Sequence, residues 1–205
     1  LSFSQKWIGQ SNHKDIDKRT AALLFSNAIL NQDTTKLKQF LSQELPSLKH
    51  SSLTLSKQIT SSKAKHYLFN QTLNGRRIFR GSVKLNIANS GKVLSIFDNT
   101  YPINFEVDVQ FPNHQPFHDG LMAHYETPDN GVLDHYTLEE VYYPSNGTLI
   151  PAIHLKVVEK TNRYYELVLN KDVEVIYQND LLNYAAAPQD STVTLWVFNP
   201  DPLSP

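Results

Sequence analysis

Four histidines within residues 114–135 are the residues of this sequence best suited to binding a metal ion. Imidazole nitrogens and carboxylate oxygens are ligands for zinc and other transition metals. The segment supplies both kinds, as His114, His118, His124 and His135 and as Asp119, Glu126 and Asp134. Pro116 separates the first two histidines, and proline opposes the regular helix that would bring both rings to one face. We therefore expect solvated loop histidines, and an enzyme built on this segment stays as an alternative.

Two adjacent glutamates, Glu139 and Glu140, are the other candidates for catalysis, as a general acid and a general base. Neighbouring residues of a strand point to opposite faces, so we expect these carboxylates at the surface rather than converging on one bond. The sequence has no H-E-x-x-H, no G-x-S-x-G, no phosphate-binding glycine loop and no cysteine. These features carry common hydrolytic and phosphate chemistries. We predict a chain without catalytic residues, cofactor or metal.

The charge balance argues against two classes of partner. The 205 residues include 19 Lys plus Arg and 20 Asp plus Glu, and the formal net charge is -1. Proteins that bind nucleic acid or anionic membranes usually carry a basic surface instead. No apolar run approaches the ~18 residues of a membrane span. We therefore expect neither nucleic acid nor a membrane as a partner.

The helical pattern is confined to the beginning of the chain. Apolar residues recur with helical spacing at Leu37, Phe40, Leu41 and Leu45. Asp33 and Thr34 are suited to cap this helix, and Pro46 ends it. A second helix is predicted over Ala21 to Leu30.

Alternating strands follow the helices. Apolar and polar residues alternate from Leu53 to Ile59, from Tyr67 to Leu73, from Val83 to Ile87 and from Val93 to Phe97. Asn74-Gly75 stands between two of these runs, and Asn-Gly favours the positive φ angles of a tight hairpin turn. Residues 65–97 are therefore predicted to form an antiparallel meander.

The second part of the chain is predicted to contain more strands around an irregular segment. Strict alternation over Ile103 to Phe111 indicates a strand with one solvated face. Prolines and glycines over residues 112–135 indicate irregular structure, with one short helix near Asp119 to Tyr125. Further strands are predicted at Leu138–Tyr143, Leu149–Val158, Tyr164–Leu169, Val173–Tyr177 and Val193–Phe198. The fold class is α+β, with N-terminal helices followed by antiparallel sheets.

The predicted hairpin contains H-Y-L-F-N-Q-T-L-N-G at 66–75, I-F-R-G at 78–81 and S-G-K-V at 90–93. This order resembles the fungalysin/thermolysin propeptide (FTP) motif, in which H-Y-x-F-x-Q-T-x-N-G leads into V-F-x-G and then D-G-K-V. Because the order is kept over about forty residues, the resemblance is far more specific than a lone Asn-Gly. The positions that match are His66, Tyr67, Gln71, Thr72, Asn74, Gly75, Phe79 and Gly81.

The region after the motif resembles the PepSY-like half of the same propeptides. Residues 142–155 resemble its y-P-x-x-x-x-L-x-x-A-W-x-v strand, and residues 168–180 resemble its v-D-A-x-T-G-E-V-l-y-x-x-D hairpin. The chain departs from the family at two positions of these motifs, and the Ala-rich helix expected to open the second half is not evident in residues 112–135. Arg76 and Arg77 replace an apolar residue and a proline, and residues 170–173 lack the turn glycine.

The resemblance implies two cystatin-like or PepSY-like subdomains. Residues 1–102 would hold the helices and the FTP-like antiparallel sheet. Residues 103–184 would form the PepSY-like subdomain, with an irregular insert near 112–135. Residues 185–205 would be a linker and the start of a following segment.

The function implied is that of a propeptide in a secreted zinc metallopeptidase precursor. Such a domain acts as intramolecular chaperone and inhibitor by covering the catalytic domain, which is its protein partner. Zinc and the catalytic residues would belong to the peptidase, and the location would be secreted or extracellular, with the periplasm as a stage in transit. The alternative is a stand-alone secreted protein-binding or inhibitor module with the same fold, because fold does not determine function.

The end of the second subdomain is the expected contact with the peptidase. In the resembling family this end leads toward the catalytic cleft. The candidate contacts are Asp180, Leu181, Asn183 and Tyr184. Leu181 and Tyr184 would fill apolar subsites of the cleft, and the Asp180 carboxylate would face a cation or a hydrogen-bond donor there. The alternative is that these residues only complete the last strand.

Overall fold

The computed structural model describes residues 22–24, 26, 28–31, 33–103, 107–126, 131–161 and 163–180. Two α-helices occur in this part of the chain, α1 (Thr34–Glu44) and α2 (Gln115–Tyr125), and a 3-10 turn spans Pro46–Leu48. The strands are β1 (Ala22–Leu24), β2 (Ser52–Thr60), β3 (Ala64–Leu73), β4 (Arg76–Ala88), β5 (Val93–Asn99), β6 (Leu133–Ser145), β7 (Thr148–Glu159), β8 (Tyr164–Leu169) and β9 (Val175–Asp180). The fold class is α+β, as predicted.

The strands form one continuous nine-stranded sheet that is almost entirely antiparallel. Along the path β1-β5-β4-β6-β7-β8-β9, β5 and β6 pair with successive parts of one side of β4, and β3 and then β2 lie on its other side. The pairing of β4 with β6 is parallel, whereas every other strand pair is antiparallel. We call β1–β5 with α1 the first half, and β6–β9 with α2 the second half.

The first half buries one face of its sheet under α1. Leu37 and Leu41 of the helix pack with Tyr67, Phe69 and Leu85 of the strands. Asp33 caps the helix, because its side chain accepts hydrogen bonds from the backbone N–H groups of Thr35 and Lys36. The predicted helix behind this cap is confirmed.

The second half repeats the arrangement with α2. Phe117 and Leu121 pack against Ile153, Leu155 and Leu167 of the central strands. Burial of one such apolar side chain contributes about 1.5–3 kcal/mol. Each half thus consists of one helix on an antiparallel sheet.

The helix predicted over Ala21 to Leu30 is wrong where the structure describes it. Ala22–Leu24 is a strand, and Leu23 pairs with Phe97 of β5. The backbone of this short segment pairs in register with the edge of β5. Pairing across about seventy residues overrides the local propensity.

The strand predicted over Ile103 to Phe111 is also wrong in its described residues. Ile103 and residues 107–111 lie outside any strand. Ile103 packs with Ile78, Tyr101 and Tyr142, and Phe111 packs against the same group. Apolar packing in this cluster, and not pairing with a strand, holds the described residues of the segment in place.

The segment predicted as irregular near 112–135 contains the eleven-residue helix α2. Pro116 lies in its first turn, where a proline has no intrahelical bond to lose.

The meander predicted over residues 65–97 is confirmed. A strand also occurs at each of the four places predicted between 138 and 177, with slightly different bounds. Val193–Phe198 and the linker 185–205 lie outside the described residues, and the subdomain boundaries stay a prediction. In the described part, no helix is long and apolar enough to span a membrane.

Candidate functional site at the junction of the two halves

Strand β4 pairs with strands of both halves and forms their junction. Residues 82–87 of β4 pair with β5, whereas Arg77 and Ile78 pair in parallel with Val141 and Tyr142 of β6. Only two residue pairs form this parallel contact. The side chains around it must therefore supply most of the attachment between the halves.

The hairpin before the junction has the predicted turn. Asn74 and Gly75 have φ angles of 49° and 76°, which is the positive φ pair that an Asn-Gly turn provides. The two residues connect β3 to β4, as the motif predicts. The side-chain amide of Asn74 also lies 3.5 Å from the Tyr142 hydroxyl and donates to it. The turn thus contacts β6 of the second half.

Gln71 is a fully buried amide whose hydrogen-bonding groups are all paired. Its Nε2 donates to Tyr101 O at 2.8 Å and to Ser51 Oγ at 2.9 Å, and its Oε1 accepts from Tyr101 N at 2.8 Å. A bulge at this position separates the pairs Asn70–Ser82 and Thr72–Arg77. Gln71 therefore fastens the chain after β5 to the bulged part of the β3–β4 hairpin.

Gly81 leaves the space that Gln71 needs. A Cβ built on Gly81 would stand 2.8 Å from Gln71 Oε1, a distance that real side chains do not adopt. Two positions of the family motif, ten residues apart in sequence, are thus in direct contact. Gln71 Oε1 thus occupies the space that a side chain at position 81 would need.

Two consecutive arginines of β4 pair with two consecutive glutamates of β6. Arg76 pairs with Glu140, and Arg77 donates to Glu139 through Nε at 3.0 Å and Nη2 at 2.8 Å. We call these two pairs the arginine–glutamate clasp. Arg76 and Arg77 are the positions at which the sequence differs from the FTP motif that it resembles, and in the structure both are paired with glutamates. The two glutamates have separate partners, as expected for neighbours on a strand.

His154 of β7 is the buried polar group nearest the clasp, with 1% of its side chain exposed. Arg77 Nη2 donates to its Nδ1 at 2.8 Å, and its Nε2 donates to Glu166 Oε1 at 2.8 Å. Phe79 packs on the ring, with 5.1 Å between centroids. The histidine therefore links β4, β7 and β8 across the junction.

The carboxylates of this network are held in the charged form. Partial burial alone would raise the pKa of Glu139, but contact with His154 and the two hydrogen bonds from Arg77 outweigh it and lower the pKa to about 2. The pKa of Glu166 is also lowered, because contact with His154 and the charges of Arg80 and Lys156 outweigh its burial. Both groups stay ionised at neutral pH.

Arg80 extends the network to the last strand. It has a positive φ of 60°, in the bulged part of β4. Its guanidinium lies 4.7 Å from the Tyr177 ring centroid, donates to the Tyr177 hydroxyl and lies 4.0 Å from Glu166 Oε2. An arginine over a tyrosine face gains a cation–π contact. Strand β9 is thereby attached to β4 as well.

The remaining motif residues stabilise the first half. His66 Nδ1 lies 2.7 Å from Asn86 Oδ1, and Thr72 Oγ1 donates to Ser52 O at 3.3 Å. Tyr67 is buried beneath α1, whereas Phe79 is buried at the junction. The motif residues thus divide into the hairpin, the first core and the junction, and none of them forms a cleft.

The histidine-rich segment does not form solvated loops. His114 and His118 lie at the start of α2, and His124 is buried in its last turn. His118 Nδ1 lies 2.6 Å from the Tyr136 hydroxyl, and His114 lies 3.5 Å from Glu140. The helix forms because Pro116 is tolerated in its first turn. Among the described residues, no group of three or more His, Cys, Asp or Glu side chains could hold a metal ion.

Of the candidate peptidase contacts, the structure describes only Asp180. It ends β9 and pairs in register with Tyr165. Leu181, Asn183 and Tyr184 lie outside the described residues. The sequence did not point to His154, Glu166 or Arg80, because their partners are between 12 and 97 residues away.

Comparison with known proteins adds little to this picture. No protein-family model matches the sequence. No curated protein matches it either. Among solved structures, the chain is similar to the Bacillus megaterium YpeB C-terminal domain, with 13% identity and a TM-score of 0.40, over 78% of this chain and 72% of that one. Similarity at this level establishes neither a shared function nor a shared family.

Proposed function

We propose that this chain is the propeptide of a secreted zinc metallopeptidase precursor. It assists folding of the catalytic domain and then covers that domain as an inhibitor. In this account the chain is not an enzyme and holds no cofactor. The zinc and the residues that cleave peptides belong to the peptidase.

The contact between Gln71 and Gly81 is the observation that carries the proposal. The family resemblance rests on an ordered set of residues, and a chance match would leave those residues without a common task. Here the glutamine and the glycine fit against each other, with a Cβ at position 81 only 2.8 Å from Gln71 Oε1. The amide also binds the backbone of Tyr101 in both directions. The motif therefore has a physical reason to keep both residues.

The junction supports a role in binding. Its charged groups pair with one another across β4, β6, β7 and β8, in the arginine–glutamate clasp and around His154. A network of paired charges fixes the positions of the elements that carry it. A body held in this way presents a fixed surface, which lowers the cost of ordering when a partner binds.

Thermodynamic linkage explains how such a body assists folding. A domain that binds the native peptidase, and not its unfolded chain, stabilises the native state by mass action. Within one precursor its effective concentration is about millimolar. A contact with a micromolar dissociation constant would then add about 4 kcal/mol to the stability of the catalytic domain.

The reading frame of the gene is the first test. We expect it to continue into a domain with H-E-x-x-H, the helix motif that supplies two zinc ligands and a general base. A stop codon or an unrelated domain after this chain would contradict the proposal and favour the stand-alone binding module.

Refolding is the second test. The denatured catalytic domain is diluted from urea with and without the purified chain, and recovered peptidase activity is measured after the chain has been removed by limited proteolysis. We expect a several-fold higher yield with the chain. Serum albumin at equal mass is the control for non-specific protection. Equal yields with the chain and with albumin would contradict the chaperone role.

A further inference from the structure

The sheet of the first half has a second face, opposite α1. The strand registers place four side chains in each of three rows across β2, β3, β4 and β5. We call this surface the open face. Its rows are Thr54–Asn70–Ser82–Asn99, Lys57–Leu68–Lys84–Phe97 and Ile59–His66–Asn86–Ser95.

The middle row combines cations with apolar groups. Lys57 and Lys84 alternate with Leu68 and Phe97. Lys84 Nζ lies 5.8 Å from the Phe97 ring centroid, and Phe97 is 39% exposed. An exposed aromatic ring beside a lysine is an anchor that can be buried by a partner while the ammonium stays near its rim.

The third row is held in place by hydrogen bonds. His66 Nδ1 lies 2.7 Å from Asn86 Oδ1, and Asn86 Nδ2 donates to Ser95 Oγ at 2.7 Å. Ile59, at the end of this row, is 49% exposed. Side chains fixed before binding lose less entropy when a partner covers them.

The open face is charged with one sign only. Its ionic groups are Lys57 and Lys84, and no aspartate or glutamate occurs in the three rows. Positive charge around an apolar centre complements a partner surface that is acidic around an apolar contact. Two lysines on a sheet without a groove supply too little charge for nucleic acid, whose binding depends on many phosphate contacts.

We propose that the open face docks the acidic surface of a folded protein. The inference rests on the proposed function, under which the docked protein is the catalytic domain of the peptidase. Phe97 and Leu68 supply the apolar contact, and the two lysines steer the encounter and fix its register. The role is additional to the expected contact at the end of β9, which lies in the other half of the chain.

The test is a double charge reversal, Lys57→Glu with Lys84→Glu. Its matched control, Lys36→Glu with Lys160→Glu, changes the net charge equally but affects exposed lysines of α1 and of the β7–β8 turn. Binding to the purified catalytic domain encoded downstream in the same reading frame is measured by surface plasmon resonance, at low and at physiological salt. Circular dichroism and the melting temperature confirm that each variant is folded.

We expect the reversal to raise the dissociation constant at least tenfold, chiefly by slowing association at low salt, and the control to change it less than twofold. A milder pair, Lys57→Gln with Lys84→Gln, should give an intermediate loss and replaces the reversal if that variant does not fold.

Three outcomes overturn the inference. Binding that survives the reversal overturns the open face alone and leaves the proposed function in place. Failure of the wild-type chain to bind that catalytic domain overturns the proposed function, and the docking face with it. A dimer of the wild-type chain that the reversal dissociates would make a second copy the occupant instead.

Discussion

The side-chain amide of Gln71 occupies the space in which a side chain at position 81 would begin. A Cβ on Gly81 would stand 2.8 Å from Gln71 Oε1 and 3.1 Å from Gln71 Cβ. The amide cannot move aside cheaply, because Oε1 and Nε2 both bind the backbone of Tyr101 inside the protein. One contact thus holds β3, β4 and the segment after β5 together.

Replacing Gly81 with alanine should therefore destabilise the fold. We expect Gly81→Ala to lower the free energy of unfolding by about 1–3 kcal/mol, the usual cost of overpacking a buried site. Urea unfolding followed by circular dichroism measures the change. The same substitution in a Gln71→Ala background should cost less, because the clashing amide is absent. Equal costs in both backgrounds would contradict the contact.

The turn between β3 and β4 gives a second prediction about stability. Gly75 has a φ of 76° and open space around its Cα, so only the backbone conformation opposes a side chain there. Gly75→Val should cost about 1–3 kcal/mol, because a β-branched residue resists positive φ. Gly75→Asn is the control and should cost less, since asparagine tolerates this conformation. Equal melting temperatures for the valine variant and the wild type would rule out the turn.

Acid should weaken the junction. The pKa of Glu139 is lowered to about 2 in the folded chain, below its ordinary value of 4.5. A carboxyl with a lowered folded pKa stabilises the protein fully above its unfolded pKa, and this stabilisation is lost as the pH falls toward the folded value. We expect the free energy of unfolding to decline between about pH 4.5 and pH 2, and Glu139→Gln to reduce that decline.

The pH profile is measured by urea unfolding at a series of pH values. Glu44→Gln, which removes a carboxylate at the exposed end of α1 and outside the junction, is the matched control. A Glu139→Gln profile parallel to that of the wild type would show that Glu139 is not held in the charged form by Arg77 and His154.

The hairpin could be predicted from sequence because its determinants are local. Asn74 and Gly75 set the turn by their own backbone preferences, and the alternation on either side sets the register. The helix α1 was predictable for the same reason, since Asp33 caps it and its apolar residues recur on one side.

The predictions from sequence failed where contacts between distant residues determine the secondary structure or the role of a side chain. Leu23 forms a strand because β5 offers it an edge, whereas Ile103 lies outside any strand and packs with Ile78 and Tyr142. His154 looks from sequence like a polar interruption of a core strand. Its role depends on Arg77 and Glu166, which the folded sheet brings to it from 77 and 12 residues away.

The departure at Arg76 and Arg77 is explained only by the structure. In sequence the two arginines weaken the resemblance, and Glu139 and Glu140 look like isolated surface carboxylates. The parallel pairing of β4 with β6 brings them together as the arginine–glutamate clasp. A pairing between residues more than sixty positions apart cannot be inferred from the spacing of either pair alone.

Inhibition of a zinc metallopeptidase by the purified chain is the most direct test of the account. The catalytic domain encoded downstream in the same reading frame is assayed on a fluorogenic peptide with increasing amounts of the chain. The account predicts saturable inhibition with a dissociation constant of about 1 μM or lower, equivalent to about 8 kcal/mol of binding energy. Full peptidase activity in the presence of a large excess of folded chain would contradict it.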